Sequence, residues 1–304
     1  MSIFSPGTNA NEAKPLSKRE VFYRSTDGLR LYAADYGPED SPLAVFCMHG
    51  LTRNHKDFEP MIEGLNLPLR FISVDVRGRG KSDRDLSGNT YTPAHYVQDM
   101  MALVDHLALK KIVLIGTSMG GLMAMLMAHL HPDAIKGIIL NDIGPEVGAE
   151  GIKRIAGYAG GSEVFHSWVE AAQTIGNTQE AIYPEFSKSE WLEFAKRTCI
   201  QTNSGEIIFD YDPAIVKGMD IKPPNWRMRL MAWRLFGATK KFPLLIIRGE
   251  TSDILSGKIA NRMKRRHKTS ELLAVPQRGH APTLSEPDAL QAIRTFLSRI
   301  SATV

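Results

Sequence analysis

The sequence predicts a doubly wound α/β fold in which a mostly parallel, eight-stranded sheet is flanked by helices. Short runs of apolar residues recur along the chain, and segments with helical periodicity separate most of these runs. Continuous apolar runs are typical of strands that are buried on both faces of a parallel sheet. Alternation of such strands with helices is typical of a doubly wound domain. One long interruption of the alternation predicts an inserted cap.

The first two strands are predicted to form a hairpin. Residues 20–25 and 29–36 alternate between apolar and polar side chains on either side of Asp27 and Gly28, a pair that favours a tight turn. The continuous apolar runs then supply the remaining strands. These runs are residues 43–48, 71–74, 112–115, 138–140, 244–247 and 272–275.

Helical patterns lie between most of these strands, at residues 57–65, 93–107, 119–130, 258–267 and 288–300. The alternation breaks between Asp142 and Lys241, where several helical patterns occur without a buried-strand run. A helical insertion that returns to the same sheet is a cap. We therefore predict a core of residues 19–144 and 240–304, and a cap of residues 145–239 inserted between strands 6 and 7.

Composition narrows the class of protein. The chain has 304 residues, is 43% hydrophobic and carries a net charge of +4, so it can bury one large core with an inserted subdomain. No apolar run approaches the ~20 residues that span a bilayer. Residues 1–18 are polar and lack the apolar segment of a secretory signal, so we expect a flexible tail and a cytoplasmic protein. Cys47 and Cys199 lie far apart and imply no disulfide framework.

Ser118 lies in the most informative motif of the chain. It is the centre of a Gly-x-Ser-x-Gly pentapeptide at residues 116–120, which follows a buried strand and opens an apolar helix. A sharp turn from strand to helix, with glycines where a Cβ would clash, exposes a serine Oγ above the sheet. The N-terminus of the helix stabilises negative charge beside it. We therefore predict that Ser118 is a catalytic nucleophile.

A serine hydroxyl needs a general base at neutral pH, and His280 is the best placed of the nine histidines. It lies in a glycine-flanked loop between the last apolar strand and the final helix. A carboxylate must orient this histidine. We prefer Asp253, which follows the preceding strand, while Asp142 and Glu250 remain alternatives. The chain order Ser, Asp, His is the order expected for this class of site.

Acyl transfer also builds an oxyanion, which two backbone N–H groups can stabilise. One predicted donor is Met119, the first residue of the helix after the nucleophile. The other is Leu51, in the loop after strand 43–48, where Gly50 permits a sharp turn. We interpret His49 as a scaffold residue that braces this loop.

All four tryptophans fall within the predicted cap, and two interpretations of them stay open. Clustered tryptophans are able to wall an apolar substrate pocket, or they can fix the cap to the core. On the first interpretation the candidate substrate-binding residues are Trp168, Trp191, Trp226 and Trp233.

Two other patterns have simpler interpretations. Residues 78–82 end like a phosphate-binding loop, but Asp75 stands where that motif requires its first glycine. We assign them to a glycine-rich turn in which Asp75 and Arg77 fix neighbouring loops. The basic run at residues 262–268 is interpreted as the solvated face of a helix, since no nucleic-acid motif accompanies it.

Taken together, these motifs resemble those of the α/β-hydrolase superfamily, and the resemblance covers nearly the whole chain beyond the tail. They occur in the expected order: His-Gly-Leu at 49–51, Asp-Val-Arg-Gly-Arg-Gly-Lys-Ser at 75–82, Gly-Thr-Ser-Met-Gly-Gly at 116–121, Arg-Gly-Glu-Thr-Ser-Asp at 248–253 and Gly-His-Ala-Pro at 279–282. Within the superfamily the chain is similar to capped carboxylesterases, enol-lactonases and meta-cleavage-product hydrolases. Serine at position 118 argues against haloalkane dehalogenases and epoxide hydrolases, which place aspartate there.

The expected activity is hydrolysis of a small carboxylic ester through an acyl-enzyme. A lactonase, an amidase or a carbon–carbon bond hydrolase with the same triad is the alternative, and a non-catalytic receptor on this fold is the remote one. A pocket with arginine, for example Arg227 or Arg229, would favour an anionic substrate. We expect a small-molecule substrate and no cofactor, metal, nucleic acid or membrane, and we leave a homodimer open.

Overall fold

The structure is a computed structural model that describes residues 16–217 and 225–303. Most of the predicted tail, residues 1–18, lies outside the described residues, and the first strand begins at Lys18. The strands, in chain order, are β1 (Lys18–Arg24), β2 (Arg30–Tyr36), β3 (Ala44–Met48), β4 (Arg70–Asp75), β5 (Ile112–Thr117), β6 (Ile135–Asn141), β7 (Val164–Phe165), β8 (Cys199–Gln201), β9 (Ile207–Phe209), β10 (Leu244–Gly249) and β11 (Glu271–Val275).

The main sheet has eight strands in the order β1-β2-β4-β3-β5-β6-β10-β11. β1 and β2 form the predicted hairpin around Gly28, and β2 is antiparallel to β4. All the other neighbours in the sheet are parallel. The doubly wound fold with a mostly parallel, eight-stranded sheet is therefore confirmed.

Helices cover both faces of the sheet because the central strands are apolar on both sides. The helices are α1 (Glu59–Leu65), α2 (Pro93–His106), α3 (Met119–Leu130), α4 (Ala149–Tyr158), α5 (Trp168–Gln179), α6 (Lys188–Thr198), α7 (Trp226–Ala238), α8 (Gly257–Arg266) and α9 (Pro287–Ser301). One apolar layer contains α2, α3 and α8, and the other contains α1 and α9. Even the polar end of β4 is buried, so the core continues to the edge where the strands end.

The elements between β6 and β10 form the cap, at the position in the sheet where the sequence predicted it. Its helices α4 to α7 are joined by a three-stranded antiparallel sheet in the order β7-β9-β8. This small sheet was not predicted, since only helices were expected in the insertion. Val164 and Phe165 are strand-forming residues, and the hydroxyl of Ser167 caps α5 by accepting a hydrogen bond from the Glu170 N–H. The division at residues 145 and 239 stays a prediction.

The glycine-rich turn after β4 is held by the carboxylate of Asp75, as predicted. This buried carboxylate accepts hydrogen bonds from the N–H of His55 at 2.7 Å and from the N–H of Lys81 at 2.8 Å. Gly80 has φ of +54°, and a Cβ there would overlap Asp75. The turn therefore encloses a carboxylate of its own, which is the opposite of what a phosphate-binding loop requires.

Arg77 fixes three parts of the core to one another, which also agrees with the sequence analysis. Its buried guanidinium is paired with Asp99 of α2 at 2.6 Å and with Asp27 of the hairpin turn at 2.8 Å. Asp99 has no solvent exposure, whereas Asp27 is partly exposed. Loss of Arg77 would therefore leave one carboxylate buried without a compensating charge.

We predict that Arg77→Leu lowers the free energy of unfolding by about 3–5 kcal/mol, because breaking a buried ion pair strands the remaining charge. Urea unfolding followed by circular dichroism measures this change. Arg24→Leu is the matched control: Arg24 donates one surface hydrogen bond, to the carbonyl of Gly28, and its loss should cost less than about 0.5 kcal/mol. Adding Asp99→Leu to Arg77→Leu should restore part of the loss; equal stabilities of wild type and Arg77→Leu would contradict the assignment.

Candidate active site

The carboxyl ends of the parallel strands bring the candidate catalytic residues to one edge of the sheet. Ser118 follows β5, Asp142 follows β6, and His280 lies in the loop after β11. Leu51 lies in the loop after β3, which pairs with β5. This is the edge at which doubly wound folds form their sites.

Ser118 occupies the strained turn that its motif predicted. Its φ is +52° and its ψ is −113°, values that a non-glycine residue adopts only when the surroundings enforce them. Its N–H donates to the carbonyl of Asn141 at 3.0 Å. Gly120 is required beneath it, because a Cβ at that position would overlap the carbonyl of Met48. The turn presents the Oγ outward from the end of β5.

The three polar side chains form a continuous chain of hydrogen bonds. The Oγ of Ser118 lies 2.9 Å from Nε2 of His280, and Nδ1 of His280 lies 2.7 Å from Oδ2 of Asp142. A carboxylate only accepts hydrogen bonds, so Nδ1 carries the proton and donates it to Asp142. Nε2 then has a free lone pair and accepts the hydrogen bond of the serine hydroxyl. The arrangement is able to remove a proton from Ser118.

Asp142 is held in place by β10 and by the turn that follows β10. It has φ of +52°, and its N–H donates to the carbonyl of Ile247 in β10 at 2.8 Å. Its buried carboxylate accepts hydrogen bonds from the N–H of Gly249 at 2.9 Å and from the hydroxyl of Ser252. These donors satisfy the carboxylate and aim one oxygen at the imidazole of His280.

The preference for Asp253 as the orienting carboxylate is wrong. Its carboxylate lies 2.7 and 2.8 Å from two nitrogens of Arg154 in α4, and 32% of its side chain is exposed. Burial acts to raise the pKa of Asp253, but the hydrogen bonds from Arg154 outweigh it and lower that pKa. Glu250, the third candidate, is exposed. Asp142 and Asp253 follow neighbouring strands and precede the histidine in the chain, so the sequence did not distinguish them. The residue of the 248–253 motif that does contribute is Ser252, which supports His280 indirectly through its hydrogen bond to Asp142.

The loop that carries His280 is attached to both the core and the cap. From the core, Asn141 donates through Nδ2 to the carbonyl of Pro282 at 2.8 Å. From the cap, the hydroxyl of Tyr183 donates to the carbonyl of Ala281 at 2.7 Å. The Gly279 N–H donates in turn to the carbonyl of Ile182 at 3.0 Å. The cap therefore helps to position the candidate base.

Leu51 and Met119 lie where the sequence predicted an oxyanion hole. Leu51 lines the same cavity as Ser118, and the carbonyl of Leu51 accepts a hydrogen bond from Nε of the buried Arg79 at 3.0 Å. Met119 is the first residue of α3, where the backbone N–H has no partner within the helix. The backbone before Leu51 lies close to the nucleophile, since a Cβ on Gly50 would lie 3.8 Å from Cβ of Ser118. Binding of an oxyanion by the two N–H groups stays a prediction.

His49 braces the Leu51 loop, as predicted. Its Nε2 accepts a hydrogen bond from the N–H of Val76 at 3.1 Å, so its Nδ1 carries the proton and donates to the carbonyl of Gly50 at 2.7 Å. The ring is completely buried. Burial lowers the pKa of His49 to about 4, which keeps the ring neutral at physiological pH.

The Oγ of Ser118 faces a cavity of about 80 Å³ between core and cap. The core side comes from the loops after β3, β5 and β11. This volume is smaller than the ~150 Å³ of a cavity that holds benzene, so the space fits only a small acyl group. The cap residues that line it are Ile155, Tyr158, Gln179, Tyr183, Phe194 and Arg197.

The four cap tryptophans do not belong to this lining, so their interpretation as pocket walls is wrong. Trp226 is 69% exposed on α7. Trp168 packs against the cap's own apolar cluster, and Trp191 packs edge-on against the rings of Tyr183 and Phe194. The aromatic residues that do line the cavity near Ser118 are tyrosines and phenylalanines.

Trp233 instead fixes the cap helix α7 to the core. Its Nε1 donates to Glu146 at 2.6 Å, and the guanidinium groups of Arg262 and Arg266 lie over its ring, at 4.4 and 4.3 Å from the centroid. Arg262 also pairs with Glu146 at 2.8 Å. Two arginines of the basic run 262–268 therefore have a packing role, which the interpretation as a solvated face missed.

The charged residues of the cavity were also missed by the sequence analysis. Arg227 and Arg229, which it considered, are exposed on α7 and lie outside the cavity. The arginines that line it are Arg53 and Arg197. The position of Arg53, two residues after the predicted oxyanion donor Leu51, was a signal that would have pointed to it.

Among residues 16–217 and 225–303, no group of three or more potential metal ligands comes together. Within the same ranges, the helices are too short or too polar to cross a membrane.

Comparison with known proteins decides the family. A model of the alpha/beta hydrolase fold matches residues 44–187. A 3-hydroxybutyrate-oligomer hydrolase of Cupriavidus necator is 32% identical, over 88% of this chain and 93% of its own length. The chain belongs to the α/β-hydrolase family. This α/β hydrolase is also similar to a solved α/β hydrolase from Novosphingobium aromaticivorans, with 41% identity, a TM-score of 0.86, and coverage of 93% of this chain and 98% of that one.

A further relative of this α/β hydrolase is named for a different substrate. The 2-(acetamidomethylene)succinate hydrolase of Mesorhizobium japonicum is 28% identical, over 84% of this chain and 88% of its own length. The family therefore establishes a hydrolase, and the bond that is cleaved must be argued from the site.

We predict that Asp142→Asn lowers kcat by about 10⁴-fold, because an asparagine no longer holds the imidazole in the required tautomer. Asp253→Asn is the matched control and should lower kcat by less than about 10-fold, since Asp253 pairs with Arg154. Initial rates on a short aryl ester measure both. A larger loss in Asp253→Asn than in Asp142→Asn would reverse the assignment.

A second prediction concerns stability at acidic pH. The ring of His49 binds a proton near its ordinary pKa of 6.5 when unfolded, but only near a pKa of about 4 when folded. Between these values the unfolded state holds more protons, so His49 makes the protein less stable as the pH falls from 6.5 to 4, by up to about 3 kcal/mol. Urea unfolding of wild type and His49→Gln across this range should show a shallower pH dependence in the variant. The exposed His131→Gln should keep the wild-type slope, and parallel curves for wild type and His49→Gln would contradict the prediction.

Proposed function

We propose that this α/β hydrolase is a serine esterase that cleaves small carboxylic esters through an acyl-enzyme. The observation that carries the proposal is the hydrogen-bonded chain from Ser118 through His280 to Asp142, with distances of 2.9 and 2.7 Å. A serine hydroxyl becomes a nucleophile when an adjacent base is in turn oriented by a third group.

In the proposed reaction, Ser118 attacks the ester carbonyl while His280 takes its proton. The resulting imidazolium is stabilised by the Asp142 carboxylate, which accepts the hydrogen bond from Nδ1. The N–H groups of Leu51 and Met119 bind the oxyanion, an interaction that is worth about 3 kcal/mol per donor in comparable sites. His280 then protonates the leaving alcohol, and water repeats the sequence to release the acid.

The size of the site favours a small acyl group. The cavity beside Ser118 has a volume of about 80 Å³, and the cap covers it with the rings of Tyr158, Tyr183 and Phe194. An outer groove of about 460 Å³ adjoins the cavity and shares three lining residues with it. The small acyl group would bind inside, while the rest of a longer substrate extends into the groove.

The relatives suggest which esters to assay first. The Cupriavidus necator relative is named as a hydrolase of 3-hydroxybutyrate oligomers. The repeating unit of such an oligomer is a short hydroxyacid, which suits a small acyl cavity. We therefore propose short 3-hydroxybutyrate oligomers, together with short aryl esters, as the initial substrate series. A lactonase, an amidase or a carbon–carbon bond hydrolase would use the same three side chains, and the same assay extended to lactones, amides and dienones separates these classes.

We predict that Ser118→Ala lowers kcat on the best ester by at least about 10⁴-fold and abolishes labelling by a fluorophosphonate probe. Both changes follow from removal of the attacking oxygen. Ser204→Ala is the control, since Ser204 is exposed in the cap between β8 and β9, and this variant should keep both ester turnover and probe labelling. Ester turnover by Ser118→Ala at the wild-type rate would refute the mechanism.

A further inference from the structure

We propose that Arg197 is a carboxylate-binding subsite at the mouth of the catalytic cavity, and that the natural ester therefore carries a free carboxylate. The inference rests on the proposed esterase function, which it makes more specific.

Arg197 stands between the inner cavity and the outside. It lies next to the end of α6 and lines the cavity that contains Ser118 and His280. It also lines the outer groove, and Pro60 and Thr283 are the other residues that the two spaces share. A substrate that reaches Ser118 from the groove must pass this guanidinium.

The guanidinium of Arg197 has no anionic partner among the described residues. Within residues 16–217 and 225–303 it forms no hydrogen bond and no ion pair. The ring of Phe194 lies 6.0 Å away, and the carboxylates of Asp57 and Glu193 act on the guanidinium through their charge without a hydrogen bond to it. The nearby acid on the same helix, Glu193, is already paired with Lys196 at 2.8 Å. A partly buried arginine without a partner is unusual, because its five donors are costly to leave unsatisfied.

The second arginine of the cavity shows the contrast. Arg53 is paired with Asp57, donates to the hydroxyl of Thr198 and stacks on Phe194 at 4.0 Å. Burial works against its charge, but the carboxylate of Asp57 more than offsets this and raises the pKa of Arg53. Arg53 is thus neutralised by a structural partner.

The lining of the cavity therefore has one uncompensated positive charge. Its fully charged side chains are Arg53, Asp57 and Arg197, so the net charge is positive, and the ion pair of Asp57 is with Arg53. Burial lowers the pKa of Arg197, although a guanidinium stays protonated at physiological pH. A bound carboxylate would accept two parallel hydrogen bonds from N–H groups of Arg197. These bonds would replace the hydration that the guanidinium loses on burial.

Two kinds of ester place a carboxylate at this position. The carboxylate belongs either to the acyl part, as in a dicarboxylic monoester, or to the alcohol part, as in an acylated hydroxyacid. Monoethyl succinate represents the first kind and acetoxyacetate the second. Ethyl succinamate and acetoxyacetamide are their neutral counterparts of nearly the same shape.

The test compares kcat/KM on each anionic ester with its neutral counterpart. We expect the wild-type enzyme to prefer at least one anionic ester by about 10- to 100-fold, the range for a hydrogen-bonded charge pair. Arg197→Gln should lose this preference while keeping kcat/KM on the neutral esters within about 3-fold, and Arg197→Lys should keep part of it. The exposed Arg227→Gln, on α7, is the matched control and should behave as wild type.

A binding measurement keeps the test independent of turnover. In calorimetric titrations, the wild-type protein should bind succinamate at least about 10-fold more tightly than the neutral succinamide. Arg197→Gln should bind the two compounds equally. Equal binding of the two by wild type, or an equal loss on anionic and neutral esters in Arg197→Gln, would overturn the subsite. Neither result would affect the esterase proposal, which is tested separately by the activity of Ser118→Ala and by the assay of lactones, amides and dienones.

Discussion

The site depends on the hydrogen bond between the buried carboxylate of Asp142 and the imidazole of His280. This bond fixes the tautomer of the ring and so decides whether Nε2 can accept a proton from Ser118. The carboxylate is itself immobilised by Gly249 and Ser252 from the segment after β10. The ends of the adjacent strands β6 and β10 therefore act together on one histidine. Their parallel pairing in the sheet fixes the positions of the two ends relative to each other.

Much of the fold follows from local signals that the chain states clearly. The apolar runs identified β3, β4, β5, β6 and β10 because these strands are buried on both faces, and the alternating pattern identified the β1–β2 hairpin. α3 was predicted with its observed bounds. The strands of the cap were missed because they are two or three residues long and too short to show a period. Tertiary pairing alone makes them strands.

The site divides in the same way. Ser118, His280 and the bracing role of His49 were predictable because each has its own sequence context. The choice between Asp142 and Asp253 was not predictable, since both follow strands at the correct edge and the difference arises from Ser252 and Arg154, which act across the fold. The cavity arginines and the packing of the tryptophans likewise depend on which face of each cap helix points inward, and one sequence does not state this.

The attachment of the histidine loop to the cap has a practical consequence for engineering. The cap reaches this loop through the hydroxyl of Tyr183 and the carbonyl of Ile182, which bond to the residues on either side of His280. Shortening the cap to admit bulkier molecules would thus also remove two supports of the candidate base. Grafting a foreign lid onto this scaffold would need to reproduce those two contacts, so redesign of selectivity is better begun with single side chains than with exchange of the whole insertion.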